Sequence, residues 1–225
     1  VCIPNVLDPA QLVSVRERLD RANSWVDGRV TAGYQGAPLK FNQQIDELSE
    51  VAQACQHIVV SALECHPMFI SAVLPNVLYP PMFNRYGEGM RFGPHVDGSV
   101  RISPRDGRKL RTDVSATLFL TNPGDYDGGE LVIEDNYGEH TIKLPAGSMV
   151  VYPATSLHQV MPITRGVRTA CFFWAQSLIR DDSQRLILYD MDSAIQRLNQ
   201  TNADEVARRQ LIGCYHNLVR QWSDT

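Results

Sequence analysis

The sequence predicts a mainly β protein with flanking helices. Three observations carry this. Helical periodicity is confined to the two ends of the chain. Between about Leu78 and Ala175 the apolar segments become short and turn residues separate them. No alternation of strand and helix patterns, as a parallel sheet would need, appears. We therefore expect an N-terminal helical layer over 1–76 packed on a β core over 77–177, followed by a C-terminal helical extension over 178–225.

Asp8-Pro9 opens the first helix, with Asp as N-cap and Pro at the first helical position, and Leu12, Val15, Leu19 and Ala22 recur at helical spacing. From Trp25 to Lys40 the chain reads as irregular, broken by Gly28, Gly33, Gly36 and Pro38. A second helix is expected from about Ser49 to His66. Its apolar stripe holds Val51, Cys55, Ile58, Val59, Ala62 and Leu63, and Pro67 ends it.

The β core then has about eight short strands, at spacings typical of a sandwich or barrel. Val77–Tyr79 leads through Pro80-Pro81 to Met82–Tyr86. Asp113–Thr121 is a strong strand pattern, and Asn122–Gly129 is a turn. Glu130–Glu134 and His140–Leu144 flank a hairpin loop at Asp135–Gly138. Ser148–Tyr152, Leu157–Met161 and Val167–Ala175 complete the set, with a turn at Thr164–Gly166. After Ser177 helical periodicity returns. Leu186, Tyr189, Ile195 and Leu198 mark a helix over Arg180–Leu198. Thr201-Asn202 is read as the cap of a last helix, with Glu205 placed for a capping box and Val206, Leu211, Cys214, Tyr215 and Leu218 as its stripe.

Bulk composition excludes several functions. The 225 residues are 44% hydrophobic and 20% charged, with a formal net charge of -4, so nothing global points to nucleic acid or an anionic membrane. No apolar run approaches the roughly 20 residues of a membrane span, and no basic segment followed by a long apolar one marks a secretory signal. The five cysteines are odd in number and form no CxxC pair, which fits buried reduced thiols in a cytoplasmic protein.

The chemistry centres on Gly93-Pro94-His95-Val96-Asp97-Gly98. In an extended segment residues i and i+2 share a face, so His95 and Asp97 can bind one metal ion together. His158, just after the turn Pro153–Ser156, is the best candidate for a third ligand. Two His and one carboxylate on one face of an octahedron leave open positions, as in non-heme Fe(II) oxygenases. Taken singly, an HxD pair arises by chance and a lone His is often a hydrogen-bonded core residue. Arg168 adds to the case. If the segments around His158 and Arg168 form a hairpin across Thr164–Gly166, the two lie roughly 10 Å apart along the ladder. That separation suits a five-carbon diacid such as 2-oxoglutarate, chelating iron at one end and meeting a guanidinium at the other. A structural salt bridge or an exposed strand end is the plain alternative for Arg168.

The chain resembles the prolyl-4-hydroxylase-like branch of the Fe(II)/2-oxoglutarate dioxygenases, and within it the bacterial PKHD-type hydroxylases. The resemblance rests on Phe83–Tyr86, His95-Val96-Asp97, Arg111–Leu120, Gly128–Leu131, Leu157–Val160, Arg168–Ala170 and Trp174–Ser177, and extends into Arg180–Asp190. It implies a double-stranded β-helix (jelly roll) core, with His95, Asp97 and His158 as iron ligands and Arg168 on the distal carboxylate of 2-oxoglutarate. It also implies L-ascorbate as a reductant of the iron. Tyr86 is a secondary candidate, as a hydrogen-bond donor to the co-substrate or as pocket wall, and Trp174 reads as pocket wall or core.

The expected activity is hydroxylation of a C–H bond in a small-molecule or peptidyl substrate, consuming O2 and releasing succinate and CO2. A metal- or 2-oxoglutarate-binding sensor with little turnover, or a zinc hydrolase on the same scaffold, are the competing readings. The segment Gly98–Thr112, with Arg101, Arg105, Arg108, Lys109 and Arg111, reads either as a lid that recognises an anionic or polar substrate or as a solvated basic loop. Substrate identity and oligomeric state are not written in the sequence.

Overall fold

The computed structural model describes residues 1–201 and 204–224. The N-terminal elements are β1 (Cys2–Ile3), α1 (Pro9–Asp20), β2 (Trp25–Asp27), α2 (Gly33–Gly36), β3 (Lys40–Phe41), β4 (Gln43–Ile45), α3 (Glu50–Glu64) and α4 (Pro67–Val73). Asp8 caps α1 in a full capping box with Gln11, and Ser49 caps α3. Pro67 ends one helix and also begins the next. At the first turn of α4 its missing N–H has no partner to lose, and His66 serves as N-cap. The stretch from Trp25 to Lys40, expected to be irregular, instead contributes short strands to sheet edges, so the first 76 residues supply strands as well as helices.

The core strands are β5 (Pro75–Leu78), β6 (Met82–Tyr86), β7 (Arg91–His95), β8 (Val100–Ile102), β9 (Lys109–Arg111), β10 (Val114–Phe119), β11 (Tyr126–Gly128), β12 (Leu131–Asp135), β13 (Gly138–Ile142), β14 (Met149–Pro153), β15 (Leu157–Val160), β16 (Ile163–Gly166) and β17 (Arg168–Ser177). An eight-stranded sheet runs β1-β14-β10-β17-β6-β4-β2, with β5 pairing the far end of β17. A five-stranded sheet runs β13-β12-β15-β7-β3. All pairings are antiparallel, and the mostly antiparallel sheets match the jelly-roll architecture the sequence implied.

Strand alternation divides the large sheet into two faces. Val114, Ala116 and Leu118 of β10 point the same way as Met149 and Val151 of β14 and Cys171, Phe173 and Ala175 of β17. They pack with Val15, Leu19, Val59 and Leu63 of α1 and α3. The residues between them, Ser115 and Thr117, Tyr152, and Arg168, Phe172 and Trp174, line a cavity of about 740 Å³. The five-stranded sheet closes its other side through His95, Leu131, His158 and Val160. The site therefore sits between the sheets, opposite the helices.

Several sequence expectations are corrected. Thr164–Gly166 is not a hairpin turn: β16 pairs with β11, which carries the chain from the small sheet to the large one. His158 and Arg168 therefore belong to different sheets, and the ladder estimate of their separation does not apply. Within Gly98–Thr112, β8 and β9 pair as a hairpin across residues 103–108.

At the C-terminus, α5 (Asp182–Gln200) buries Leu188 and Ile195, whereas Leu186 is 56% exposed. The last helix, α6 (Glu205–Trp222), is capped by Asp204; Asn202, read as part of its cap, lies outside the described residues. Tyr215, Leu218, Val219 and Trp222 pack it against Leu74, Ile179 and Leu188, while Val206 and Cys214 are exposed. All five cysteines are free, but only Cys55 and Cys171 are buried.

Candidate metal and co-substrate site

His95 is the last residue of β7, and Asp97 lies two residues beyond, where the chain leaves the sheet. His158, near the start of β15, is the direct cross-strand partner of His95. A register shift after it offsets the rest of the ladder, so that Val160 faces Phe92. The three side chains meet. His95 Nε2 lies 3.9 Å from Asp97 Oδ1, and His158 Nε2 lies 3.8 Å from Asp97 Oδ2. One ligand atom from each falls within 4.8 Å of the others. Two atoms bound about 2.1 Å from a common ion lie at most about 4.2 Å apart, which both imidazole-to-carboxylate separations satisfy.

The donor set fits a divalent cation. His95 Nδ1 is 2.8 Å from Gly93 O, and His158 Nδ1 is 3.0 Å from Ser156 O. With Nδ1–H donating to a carbonyl, each Nε2 keeps its lone pair for a metal. Burial, then the neighbouring His158, pushes the His95 pKa down to about 4, so the ring is neutral near pH 7, as a ligand must be. The Ser115 hydroxyl donates to Asp97 Oδ2 at 2.5 Å and fixes the carboxylate. Phe92 stacks on His95 at 3.6 Å between ring centroids, and Tyr152 meets His158 edge-on at 5.1 Å.

Arg168 opens β17 in register with Tyr86 of β6. It is only 1% exposed, yet among the described residues it makes no ion pair, and its Nε has no hydrogen-bond partner. Its guanidinium lies 5.4 Å from the Tyr86 ring centroid and 5.2 Å from that of Phe119. A buried cation between aromatic faces is costly without a counter-charge, so the position is chemically suited to an anion. Tyr86 lines the same cavity. Burial pushes its pKa up to about 12, so it remains a neutral phenol. The cavity thus brings together His95, Asp97, His158, Arg168 and Tyr86, and Trp174 lines it as well.

Others escaped that reading. Lys40 is buried at the cavity wall although it sits at the end of a stretch with no pattern. Ser115 and Tyr152 occupy inward positions of β10 and β14, but only the strand register shows which residues they face. Of the basic hairpin residues, Arg101 lines the cavity. Arg105 is held by Gln56, and Arg111 pairs with Asp113 at 2.7 Å and Asp224 at 3.0 Å.

Comparison with known proteins gives a consistent picture. Residues 81–176 match the 2OG-Fe(II) oxygenase superfamily, and residues 182–224 match the PKHD-type hydroxylase C-terminal domain. A PKHD-type hydroxylase of Cupriavidus metallidurans is 74% identical over 226 residues, covering 100% of this chain and 99% of that protein. A prolyl-4-hydroxylase of Pseudomonas putida has a similar fold, with a TM-score of 0.53 and 21% identity over 79% of this chain and 91% of that one. A prolyl hydroxylase of Trichoplax adhaerens, in complex with a hypoxia inducible factor peptide fragment, gives a TM-score of 0.54 at 16% identity, covering 83% of this chain and 86% of that one.

Proposed function

The chain belongs to the PKHD-type hydroxylases of the 2OG-Fe(II) oxygenase superfamily and is a 2-oxoglutarate-dependent hydroxylase, and from that premise we propose that His95, Asp97 and His158 hold its Fe(II) while Arg168 binds the distal carboxylate of 2-oxoglutarate. One observation carries this assignment: a His/Asp/His cluster and a buried arginine without a counterion line the same cavity. When bound, Fe(II) and 2-oxoglutarate supply the oxidising chemistry: a substrate C–H, 2-oxoglutarate and O2 give the C–OH product, succinate and CO2.

The protein's own residues do the rest. The two Nδ1–H bonds to backbone carbonyls orient the imidazoles, and Ser115 orients Asp97. Arg168 offers the diacid a paired, charge-assisted contact, strengthened because Tyr86 and Phe119 keep water from it. Tyr86 is either a donor to the same carboxylate or the wall beside it. Residues 77–177 form the oxygenase unit in this reading, and 1–76 and 178–225 brace it. L-ascorbate serves as reductant, and the protein works in the cytoplasm. No helix of the described residues is long and apolar enough to cross a membrane.

The test is Fe(II)-dependent release of CO2 from carboxyl-labelled 2-oxoglutarate with ascorbate present, which supplies the two electrons that a substrate C–H otherwise gives. The reading predicts release in the wild type and its loss in Arg168→Gln. A sensor binds both ligands without release, and a zinc hydrolase ignores 2-oxoglutarate.

A further inference from the structure

The cavity holds two more cations that the metal and co-substrate do not use. Lys40, on β3, is 5% exposed. Its Nζ donates to Gln44 Oε1 at 2.5 Å and Thr31 Oγ1 at 3.1 Å. Arg101, on the β8–β9 hairpin, donates from Nη1 to the backbone oxygen of the same Thr31 at 3.0 Å, and its buried Nε has no partner. Two positive groups therefore converge on one residue. Neither has an acidic partner among the described residues, whereas Arg29, Arg111 and Arg165 pair with Asp27, Asp113 and Asp127.

The acidic groups whose charge reaches the two cations are committed elsewhere: Asp27 pairs with Arg29, Glu47 accepts from the Tyr79 hydroxyl, and Asp97 belongs to the metal site. Asp97 accepts from Ser115 through Oδ2 and faces both imidazoles of the metal site. Two cations close together in a desolvated site repel unless an anion joins them. Burial, then the charge of Arg101, pushes the Lys40 pKa down to about 7, as expected of two neighbouring cations that share no carboxylate.

With its distal carboxylate on Arg168, 2-oxoglutarate is too short to reach Arg101 and join the two cations. Arg101 lies 4.0 Å from the Trp174 ring centroid, six residues along β17 from Arg168, or about 20 Å of strand. The diacid spans four C–C bonds of about 1.5 Å each. Phe172 and Trp174, edge to face at 5.7 Å, form an apolar wall beside the two cations: Lys40 lies 5.5 Å from the first ring and Arg101 4.0 Å from the second. Lys40 also lies 5.3 Å from the Phe92 ring centroid, and Phe92 stacks on His95, so a single ring separates this pocket from the metal ligands.

We infer that Lys40 and Arg101 form an anion subsite for the primary substrate, which carries a carboxylate or phosphate a few bonds from the carbon that is oxidised and an apolar face against Phe172 and Trp174. This rests on the hydroxylase reading above, because it assigns Arg168 to 2-oxoglutarate.

The experiment is calorimetric titration of benzoate, inorganic phosphate and the neutral benzamide into protein loaded with Zn(II) and 2-oxoglutarate. It uses wild type, Lys40→Met, Arg101→Gln and Arg168→Gln. We expect benzoate or phosphate to bind the wild type, with the stronger of the two telling carboxylate from phosphate, and benzamide to bind at least tenfold more weakly. Lys40→Met and Arg101→Gln should each weaken anion binding at least tenfold while keeping 2-oxoglutarate affinity within about twofold, which also verifies that they fold. No anion binding to the wild type, equal binding of benzoate and benzamide, or anion binding lost only in Arg168→Gln would overturn the inference. Anion binding that persists in a wild-type protein unable to bind 2-oxoglutarate would sink the hydroxylase site assignment and leave the anion subsite standing.

Discussion

His95 and His158 stand directly opposite each other on β7 and β15, with ring centroids 4.2 Å apart and both Nε2 atoms turned toward Asp97. Two imidazoles held by backbone carbonyls, and a carboxylate held by the Ser115 hydroxyl, need little rearrangement to take an ion. One divalent ion per chain is therefore expected, measured by elemental analysis after dialysis. His95→Ala and His158→Ala should each weaken Mn(II) binding at least a hundredfold.

Ser115→Ala tests the support of the carboxylate. Its hydroxyl holds Asp97 Oδ2 at 2.5 Å, and losing such an outer contact costs about 10- to 100-fold in metal affinity. Competition with a chelator should show that loss while thermal stability stays nearly unchanged.

Arg168→Met separates binding from stability. A buried cation without a counterion is a poor stabiliser, so an apolar replacement of similar size should not lower stability. The variant should melt at or above the wild-type temperature without ligand. It should also lose the rise that 2-oxoglutarate gives the wild type, about 2.7 kcal/mol at a hundredfold excess over Kd.

Gly129→Ala should damage both properties. The residue has φ +66°, and a Cβ there would overlap Ile163 Cδ1 and press to 3.2 Å on Arg168 Cδ. We expect a loss of more than about 2 kcal/mol in denaturant unfolding and weaker 2-oxoglutarate binding, because the same methyl displaces the guanidinium.

Lys40 sets a pH dependence in the metal-free protein. Its pKa falls from 10.5 in the unfolded chain to about 7 in the folded one. Burial and Arg101 lower it, while Asp97 and Asp27 oppose the shift. Between those values the unfolded chain binds the extra proton, so stability contributed by this group rises with pH, by up to about 1.4 kcal/mol per unit. Below about pH 7 the charged form is buried and the full cost is present. Urea midpoints from pH 7 to 10 should rise more steeply in wild type than in Lys40→Met.

The sequence discloses the fold to the extent that contacts are local. Period-two patterns place Val114, Ala116 and Leu118 on one face and Ser115 and Thr117 on the other, and Asp8 and Ser49 announce their helices. Non-local pairing is not legible in this way. That β16 crosses to β11 depends on partners far away in sequence, so the apparent hairpin joining His158 to Arg168 is absent even though both residues line one cavity. Leu186 fits a helical stripe, yet Leu188 is the residue that faces Leu74 and Ile179, because packing of α5 decides which side is inward. Lys40 carries no sequence signal: its burial comes from an edge strand of two residues pairing with Phe92 and Arg91.

The most direct measurement is an anaerobic titration of Fe(II) and 2-oxoglutarate into metal-free protein, following the weak visible charge-transfer band of the chelated co-substrate. The account predicts a band in the wild type, no band in His95→Ala, and a band in Arg168→Ala only at far higher 2-oxoglutarate. Iron binding without a band in the wild type, or an unchanged band in Arg168→Ala, would contradict it.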